Sequence, residues 1–387
     1  MRHLPLFTLL TIICCLTNNV HAQDDTIPVP NMQRLIVPSE ILKEERTIWI
    51  STPSGYNESS ETYPVLYLLD GDGHFKYVSE MVEYLSGRER MRIPQMIVVA
   101  ILNTDRNRDF TPVHSLIFNG KTDSSLVTTG GGKTFLKFIG NELIPFIDKN
   151  YRTQPYRILE GHSLGGLFAV YSMEAAKELF QSRIIISPAF YGGNNKILTD
   201  FGSFLRNNKQ ISGKMFVSIG DEPKQKVDSL IHQLKTAAPG SLKWTYKIYQ
   251  DENHFSVPYK SMYDGLRFVY PNWYVDLDKE QLSDYGDIKK HFNKLSAEFG
   301  YTINPTEEFV NQCGYRQLRS GHIDNAISIF KENVKNHPNS FNVYDSMAEA
   351  YMKKGEKKLA ISNYEKSISL NPKNEDGRSM LKELKNE

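Results

Sequence analysis

The segment Tyr156-Arg-Ile-Leu-Glu-Gly-His-Ser-Leu-Gly-Gly166 joins a short apolar run to a helix-like run, Leu164 to Glu178. Its centre, residues 161–165, has the form Gly-x-Ser-x-Gly. This pattern places a serine on a sharp turn between a strand and a helix, where the glycines let the backbone pass closely. An exposed hydroxyl beside a base and backbone N–H groups can attack a carbonyl carbon. The segment predicts Ser163 as a nucleophile, with a chance glycine-rich turn as the alternative.

Strand-like and helix-like segments alternate between about residues 31 and 270. A longer amphipathic segment, Thr134 to Lys149, has apolar residues at helical spacing. This alternation predicts an α/β fold with a mostly parallel sheet, helices on both faces, and ligand chemistry at the carboxyl ends of the strands. The strand candidates are Arg34 to Val37, Thr47 to Ser51, Val65 to Leu69, Met96 to Leu102, Tyr156 to Glu160, Arg183 to Ile186, Met215 to Ile219 and Lys243 to Tyr249.

A serine nucleophile on such a fold needs a carboxylate and a histidine later in the chain, in that order. Two histidines follow Ser163 in the alternating region, and His232 lies in a helix-like stretch that favours a surface position. His254 follows a strand candidate in a polar loop, which emerges at the same edge as Ser163. We therefore predict His254 as the general base, which takes the serine proton and returns it to the leaving alcohol.

The acid has two candidates, Asp221 and Glu222, which come directly after the strand candidate Met215 to Ile219 and Gly220. Either carboxylate can orient the imidazole, and either can instead cap the helix that begins near Gln225. We prefer Glu222. A carboxylate from the loop just before His254 is the less favoured alternative.

Backbone N–H groups are predicted to form the oxyanion hole. The first donor is the N–H of Leu164, directly after the nucleophile. The second comes from the turn that follows Val65 to Leu69, and so from Gly71 or Asp72.

Other residues near these motifs favour structural roles. His162, beside the nucleophile, is interpreted as a wall of the substrate pocket with its side chain pointing away from Ser163, and His74 as a residue that shapes the pocket. The run Gly130-Gly-Gly132 precedes a helix, and we expect it to provide loop flexibility rather than anion binding. Because no histidine cluster has metal-ligand spacing and no phosphate loop is found, we predict neither a metal nor a cofactor.

The last third of the chain repeats with a period of 34 residues. Pro338 and Pro372 lie 34 residues apart, and four other pairs have the same offset. Small residues at helix crossings and a closing proline are typical of tetratricopeptide repeats. We predict two repeats, near 305–338 and 339–372, with a final capping helix. Because two repeats bury little surface alone, we expect them to pack on residues 276–304 or on the sheet domain. The other pairs are Gly321 and Gly355, Ala326 and Ala360, Ile327 and Ile361, and Phe330 and Tyr364.

The first 22 residues have the pattern of a secretory signal peptide. A basic start precedes the apolar run Leu4 to Leu16, and Val20-His-Ala22 forms a small-residue cleavage site. The apolar run is too short to span a membrane. Acylation at Cys14 or Cys15 is the less favoured alternative, because neither follows a glycine or alanine.

Charge and cysteine content exclude some classes of protein. The formal net charge is +1 and no basic stripe occurs, so nucleic-acid binding has no support. Beyond the signal peptide only Cys313 remains, and we expect it to be a buried apolar residue in the repeat region. Stability must then come from a large core rather than from disulfides.

Residues 31–273 resemble an esterase family of α/β-hydrolases that contains enterochelin esterases, esterase D, and the feruloyl and acetylxylan esterases of the first carbohydrate esterase family. The whole chain, with its tetratricopeptide tail, looks like an exported bacterial version. The stretches that carry the resemblance are Tyr63 to Phe75, Arg108 to Pro112, Phe135 to Ile139, Glu142 to Pro145, Gly161 to Gly166 and Asn253 to Val257.

The resemblance implies hydrolysis of a carboxylic ester with Ser163 and His254 at the matching positions. Family members often carry an acid at the third position after the glycine of the acid turn, where this chain has Pro223, so Glu222 or Asp221 must serve. The substrate implied is a siderophore ester or an acyl-sugar ester. Arg106 and Arg108, in the insertion 103–132, have two alternative roles: they contact the substrate, or they are solvated charges on a loop. We favour the second.

Two functions follow from these observations. The leading hypothesis is an exported serine esterase; the second is a catalytically weak or inactive hydrolase scaffold that binds a protein partner through its repeats. The expected division is a signal peptide (1–22), a hydrolase domain (23–275), a helical linker (276–304) and the repeats with their capping helix (305–387).

Overall fold

The computed structural model describes residues 31–57, 60–87, 90–118, 120–190, 195–277 and 282–386. The predicted signal peptide, with Cys14 and Cys15, lies outside these residues. Within them, no helix has both the length and the apolar character needed to cross a membrane.

An eight-stranded sheet organises residues 32–248, in the order β1-β2-β4-β3-β7-β8-β9-β10. Strands β3, β4, β7, β8, β9 and β10 run parallel to one another. Strands β1 and β2 form a hairpin, and β2 pairs with β4 in the antiparallel sense. The sheet prediction is therefore confirmed, including its opening pair of strands. The strands are β1 (Met32–Ser39), β2 (Glu44–Ser51), β3 (Tyr63–Leu68), β4 (Ile97–Ile101), β7 (Thr153–His162), β8 (Ser182–Ile186), β9 (Gly213–Ile219) and β10 (Leu242–Ile248). A separate short hairpin pairs β5 (Ile117–Phe118) with β6 (Lys121–Thr122).

Helices cover both faces of the sheet, because its central strands are apolar on both sides. Every residue of β3 and β4 is buried. One face packs against α3 (Gly132–Phe138), α4 (Ile144–Asn150), α5 (Leu164–Ala175), α6 (Asn195–Asn207) and α7 (Gln225–Ala237). The other face packs against α1 (Gly71–Ser86) and α8 (Val257–Val269).

Two helix predictions need correction. The amphipathic segment Thr134 to Lys149 is not one regular α-helix, because a π-helical turn at Ile139–Leu143 separates α3 from α4. The wider turn lets Phe138, Ile139, Leu143 and Ile144 all stay buried. The helix after the nucleophile ends at Ala175 rather than at Glu178, and Ala176, with ψ of 61°, leaves the helical conformation.

The described residues of the insertion 103–132 pack closely against one another. It contains α2 (Arg106–Phe110), the β5–β6 hairpin and a 3₁₀ turn, Ser124–Leu126. A side chain at Gly130, which has φ of +106°, would meet the backbone of His114 at 2.9 Å. The expectation that Gly130 to Gly132 provide flexibility is wrong, since these glycines allow two segments of backbone to touch.

The tail is entirely helical from α9 onwards within the described residues. Helices α10 and α11, then α12 and α13, form the two repeat hairpins, and α14 follows as the cap. The repeat prediction is confirmed in its period and in its helical content. The bounds are α9 (Tyr285–Phe299), α10 (Glu307–Arg319), α11 (Ile323–Asn336), α12 (Phe341–Lys354), α13 (Lys357–Leu370) and α14 (Glu375–Asn386).

The tail shares a core with the sheet, as expected for so few repeats. The Phe299 ring of α9 lies 5.0 Å from the Tyr156 ring of β7, and Lys214 of β9 donates to Glu298 at 2.6 Å. Cys313 is buried in the same cluster, and burial raises the pKa of its thiol to about 12, which fits the predicted apolar role. The division into domains stays a prediction.

Candidate active site

Ser163 occupies a strained turn between β7 and α5. Its φ of 58° and ψ of −115° are rare for a residue with a side chain, and such a conformation costs about 1–3 kcal/mol. Backbone hydrogen bonds from Ser163 N to Ile186 O (2.9 Å) and from Ala189 N to Ser163 O (3.0 Å) hold it in place. A side chain at Gly161 would overlap the carbonyl of Gly165, which is the physical reason for the first glycine of the motif.

Two neighbouring turns share this left-handed backbone. Asp70 follows β3 with φ of 50°, and Ser187 follows β8 with φ of 44°. Strands β3, β7 and β8 are adjacent in the sheet, so the three turns meet at its carboxyl edge. Non-glycine residues in this region of backbone cluster at functional sites because the surrounding structure must hold them there.

His254 and Glu222 are paired at the same edge. His254 Nδ1 lies 2.7 Å from Glu222 Oε2, and the Ser187 hydroxyl donates to Glu222 Oε1 at 2.5 Å. Burial alone would raise the pKa of the Glu222 carboxyl, but the hydrogen bonds from His254 and Ser187 outweigh burial and lower it. With Nδ1 donating to a carboxylate, the imidazole presents Nε2 as a base.

The structure distinguishes the two acid candidates. Asp221 is exposed, and its N–H donates to Glu252 O at 2.6 Å, so it fixes the loop that carries His254. Asp251 and Glu252 form ion pairs with Lys260. The preferred residue, Glu222, is therefore the one that contacts the imidazole. His232 is exposed on α7, as predicted.

Ser187 was missed by sequence reasoning. It is buried, donates to Glu222 as described, and is held by a backbone hydrogen bond from its N–H to Ser218 O at 2.8 Å. The only sequence signal is its place directly after β8, followed by Pro188. A single serine at a strand end is too common to have identified it.

The predicted oxyanion donors lie at the first residues of two helices. Leu164 begins α5, while Gly71 and Asp72 begin α1, and the first N–H groups of a helix have no acceptor within it. A Cβ on Gly165 would lie 3.5 Å from Asp70 Oδ2, so the start of α5 adjoins the turn before α1. The assignment of these three donors stays a prediction.

The two arginines of the insertion bind carboxylates of the protein itself. Arg106 makes a bidentate pair with Asp70, at 2.6 and 2.9 Å, and also donates to His162 O at 3.3 Å. Arg108 pairs with Glu44 at 2.6 Å and with Asp109 at 2.8 Å. The favoured interpretation of both as solvated loop charges is wrong, and their substrate-binding role stays a prediction.

Three histidines form a row beside the nucleophile. The His162 ring lies 4.7 Å from the His254 ring and 5.8 Å from the His74 ring. Burial, and then the nearby imidazoles of His254 and His74, lower the pKa of His162 to about 4. His162 is therefore neutral near pH 7 and packs against the candidate base. His74 lies on α1, where its side chain is 13% exposed.

Two exposed aromatic side chains follow His254 in the chain, one beside its ring and one on α8. The Phe255 side chain is 87% exposed and its ring meets the His254 ring edge-on at 5.3 Å. Tyr259 is 60% exposed and its ring lies 5.5 Å from the Tyr77 ring. These rings give the solvent side of the site an apolar, aromatic surface.

Together the parallel sheet, the strained serine turn and the paired histidine and glutamate define a serine hydrolase of the α/β-hydrolase type. Residues 39–256 match the family model described as "Putative esterase", and residues 341–374 match the tetratricopeptide repeat model. Because the first match spans more than half of the chain, the protein belongs to this esterase family. It is a carboxylic ester hydrolase with a C-terminal repeat region.

Relatives and solved structures agree with this assignment. The chain is 27% identical to the ferri-bacillibactin esterase BesA of Bacillus subtilis, over 58% of this chain and 86% of that protein. It is 27% identical to a siderophore enterobactin esterase of Emericella nidulans, over 40% of this chain and 57% of that protein. An IroE-like serine hydrolase from Shewanella oneidensis superposes with a TM-score of 0.71 and 28% identity, covering 79% of this chain and 99% of the other.

Proposed function

We propose that Ser163, His254 and Glu222 form a catalytic triad. The observation that carries the proposal is the 2.7 Å contact between His254 Nδ1 and Glu222 Oε2, beside a serine with φ of 58°. In the first step, Nε2 of His254 takes the Ser163 proton while the hydroxyl oxygen attacks the ester carbonyl. The Glu222 carboxylate stabilises the imidazolium that forms.

The tetrahedral intermediate then collapses to an acyl-enzyme. The N–H groups of Leu164 and of Gly71 or Asp72 receive the oxyanion, and His254 gives its proton to the leaving alcohol. Water attacks the acyl-enzyme in the second step, with His254 taking the water proton and returning it to Ser163. One ester and one water thus give one acid and one alcohol.

The substrate we propose is a siderophore ester rather than an acyl-sugar ester. Both relatives described above are named for cleaving siderophores. The exposed Phe255 ring meets the His254 ring, and the exposed Tyr259 ring lies on α8 against Tyr77. Such aromatic surface suits a bulky ligand with planar groups better than a small acetyl group. Export to the periplasm or beyond is proposed from the signal-peptide pattern of residues 1–22.

The repeat tail is proposed to bind a protein partner, in addition to stabilising the sheet domain. The alternative of an inactive scaffold rested on an uncertain acid. The Glu222 carboxylate, whose pKa is lowered by its hydrogen bonds from His254 and Ser187, supports an active enzyme instead.

Substitution of the nucleophile tests the hydrolytic proposal. We expect Ser163→Ala to lower kcat for a short p-nitrophenyl ester by about 10³-fold or more, because removing a nucleophile of a triad costs several powers of ten. The variant should also lose labelling by a fluorophosphonate probe while its circular dichroism stays unchanged. Wild-type kcat in a folded Ser163→Ala protein would overturn the proposal.

A comparison of substrates tests the substrate class. A tri-catecholate siderophore, a feruloyl sugar and an acetylated xylan oligomer are offered to the purified enzyme under the same conditions. We expect the highest kcat/KM for the siderophore. A higher value for either sugar ester would refute the substrate proposal and leave the triad untouched.

A further inference from the structure

A polar pair is buried beneath the nucleophile turn, outside the triad. Glu160 of β7 is fully buried, and its Oε1 lies 3.6 Å from Nδ1 of His74 on α1. Side chains alternate along a strand, so Glu160 shares with Tyr156 the face of β7 that packs against α1 and α8. Among the described residues, neither Glu160 oxygen makes a hydrogen bond, and the His74 imidazole at 3.6 Å is its ion-pair partner. His74 is thus the group that compensates the buried carboxyl.

Both members of the pair favour their protonated forms. Burial raises the pKa of the Glu160 carboxyl. Burial alone would lower the pKa of His74, but the carboxyls of Glu160 and Asp70 outweigh it and raise that pKa. Both pKa values are raised, which favours a proton shared between the two side chains. Removing either partner would leave a buried polar group without compensation, which is costly in a protein interior.

His74 also closes the turn that carries two of the predicted oxyanion donors. Its N–H donates to Asp70 O at 3.2 Å, as does the N–H of Gly73 at 2.9 Å. Gly71 and Asp72 lie inside this turn. The backbone N–H of the preceding residue, Leu69, donates to Glu160 O at 3.2 Å. Side chain and backbone therefore connect this turn to the same residue of β7.

A second connection holds the turn from the solvent side. Arg106 bridges the Asp70 carboxylate and His162 O, the carbonyl directly before the nucleophile. The turn is thus fixed to the end of β7 by two contacts: the half-buried Arg106–Asp70 ion pair on the solvent side and the buried Glu160–His74 pair on the interior side. Oxyanion donors act only if they are held in position before the charge develops.

We propose that His74 and Glu160 are positioning residues that hold the turn 70–72 against the end of β7 and so fix the oxyanion hole relative to Ser163. This role rests on the proposed triad mechanism. Because the donors act on the transition state, loss of the pair should lower kcat and leave KM nearly unchanged. An ion pair that only stabilised the fold would affect the free energy of unfolding instead.

Charged and aromatic side chains surround His74, and the test must leave them unchanged. Asp70 and Arg106 face His74 from the turn and from α2. The rings of Tyr77 and His162 lie 5.6 and 5.8 Å from the His74 ring. Glu160→Gln keeps the shape of the side chain.

Steady-state kinetics of Glu160→Gln, His74→Asn and the double variant test the proposal. We expect kcat to fall about 10-fold in each, with KM within about two-fold, since misplaced donors lose transition-state stabilisation. Binding of butylboronic acid, whose tetrahedral adduct places an oxygen in the oxyanion hole, should weaken by a similar factor. The double variant should be no worse than either single one, because the two residues act as a unit.

Tyr156→Phe is the matched control. It removes a buried hydrogen bond of 2.6 Å between the hydroxyls of Tyr156 and Ser182, and Tyr156 lies on the same face of β7 as Glu160, four residues earlier. We expect a lower melting temperature and wild-type kcat. If Glu160→Gln behaves like Tyr156→Phe, or if it raises KM alone, the positioning role is wrong. If Glu160→Gln does not fold, the kcat and the melting temperature of His74→Asn decide instead.

Ser163→Ala in the same series separates this inference from the proposed function. An active Ser163→Ala protein overturns the triad and the positioning role with it. An inactive Ser163→Ala protein beside a fully active Glu160→Gln protein overturns the positioning role alone.

Discussion

The catalytic edge of the sheet and the repeat tail use left-handed backbone in different ways. At the edge, Asp70, Ser163 and Ser187 adopt positive φ although each carries a side chain. In the tail, the positive φ values after α10 and α12 fall on Gly321 and Gly355, where they cost little. The edge accepts strain to aim functional groups, whereas the tail avoids strain and provides packing.

The two regions also differ in how their side chains are held. Glu222 has contacts from the turn after β8 and from the loop after β10, and His74 contacts β7. In the tail, the buried ring of Phe330 meets Tyr315 of the neighbouring helix at 5.3 Å. Edge residues are fixed by polar contacts between remote segments, while tail residues are fixed mainly by apolar contacts between neighbours. Substitutions should therefore separate activity from stability.

The largest effect is expected at the acid. Glu222→Gln keeps the side-chain shape but removes the charge that stabilises the imidazolium, and we expect kcat to fall about 10³-fold. Asp221→Asn is the control and should stay within about two-fold, because Asp221 is exposed and holds the loop through its backbone. Initial rates with a p-nitrophenyl ester measure both. Equal losses in the two variants would contradict the assignment of Glu222.

In the tail, we expect a substitution to change stability and to leave activity unchanged. Phe330 is fully buried, and Phe330→Ala should lower the free energy of unfolding by about 3–5 kcal/mol through lost burial and a cavity. The rate per folded molecule should be unchanged, because the ring lies in the repeat core. Urea unfolding and active-site titration measure the two quantities. Leu359→Ala, at a 44% exposed position of the same tail, should cost less than about 0.5 kcal/mol. A large loss of kcat in folded Phe330→Ala would show that the two regions are coupled.

Stability should also depend on pH through His162. Its pKa is about 4 in the folded protein, against about 6.5 in the unfolded chain. Between these values the unfolded chain binds the extra proton, so this contribution to the free energy of unfolding is lost as the pH falls from about 6.5 towards 4. His162→Gln should reduce the loss between pH 7 and pH 4.5 by about 2 kcal/mol.

His232→Gln is the control for this pH dependence, since His232 is exposed on α7. Its variant should follow the wild-type curve of unfolding free energy against pH. An unaltered pH dependence in His162→Gln would mean that His162 titrates normally in the folded protein.

The smallest effect is expected at Ser187. Ser187→Ala removes one hydrogen bond to the Glu222 carboxylate, and we expect kcat to fall about 10-fold, which corresponds to about 1.4 kcal/mol. Ser218→Ala removes a buried hydroxyl contact of 2.8 Å between Ser218 of β9 and Ser261 of α8. Melting temperatures should fall by similar amounts in both variants, but only Ser187→Ala should be slower. Equal rates would limit Ser187 to a structural role.

Local patterns in the sequence predicted the architecture. Short apolar strands, the period of 34 residues and the Gly-x-Ser-x-Gly turn identify the sheet, the repeats and Ser163, because each pattern reports a contact between residues close in the chain. His254 could be predicted as the candidate base because the fold fixes the chain order that a triad would have. Helix ends and the π-helical turn were missed, since tertiary packing decides them.

The tertiary structure decided which side chains meet at the sheet edge. The choice of Glu222 over Asp221, the support from Ser187 and the pairing of Glu160 with His74 all join segments that are far apart in sequence. Asp221 carries the same carboxylate group one residue earlier in the chain, in nearly the same local sequence. The turn after β9 brings the Glu222 carboxylate to 2.7 Å from the His254 ring and leaves the Asp221 side chain exposed. This difference decides between them, because a hydrogen bond requires a donor and an acceptor within about 3 Å.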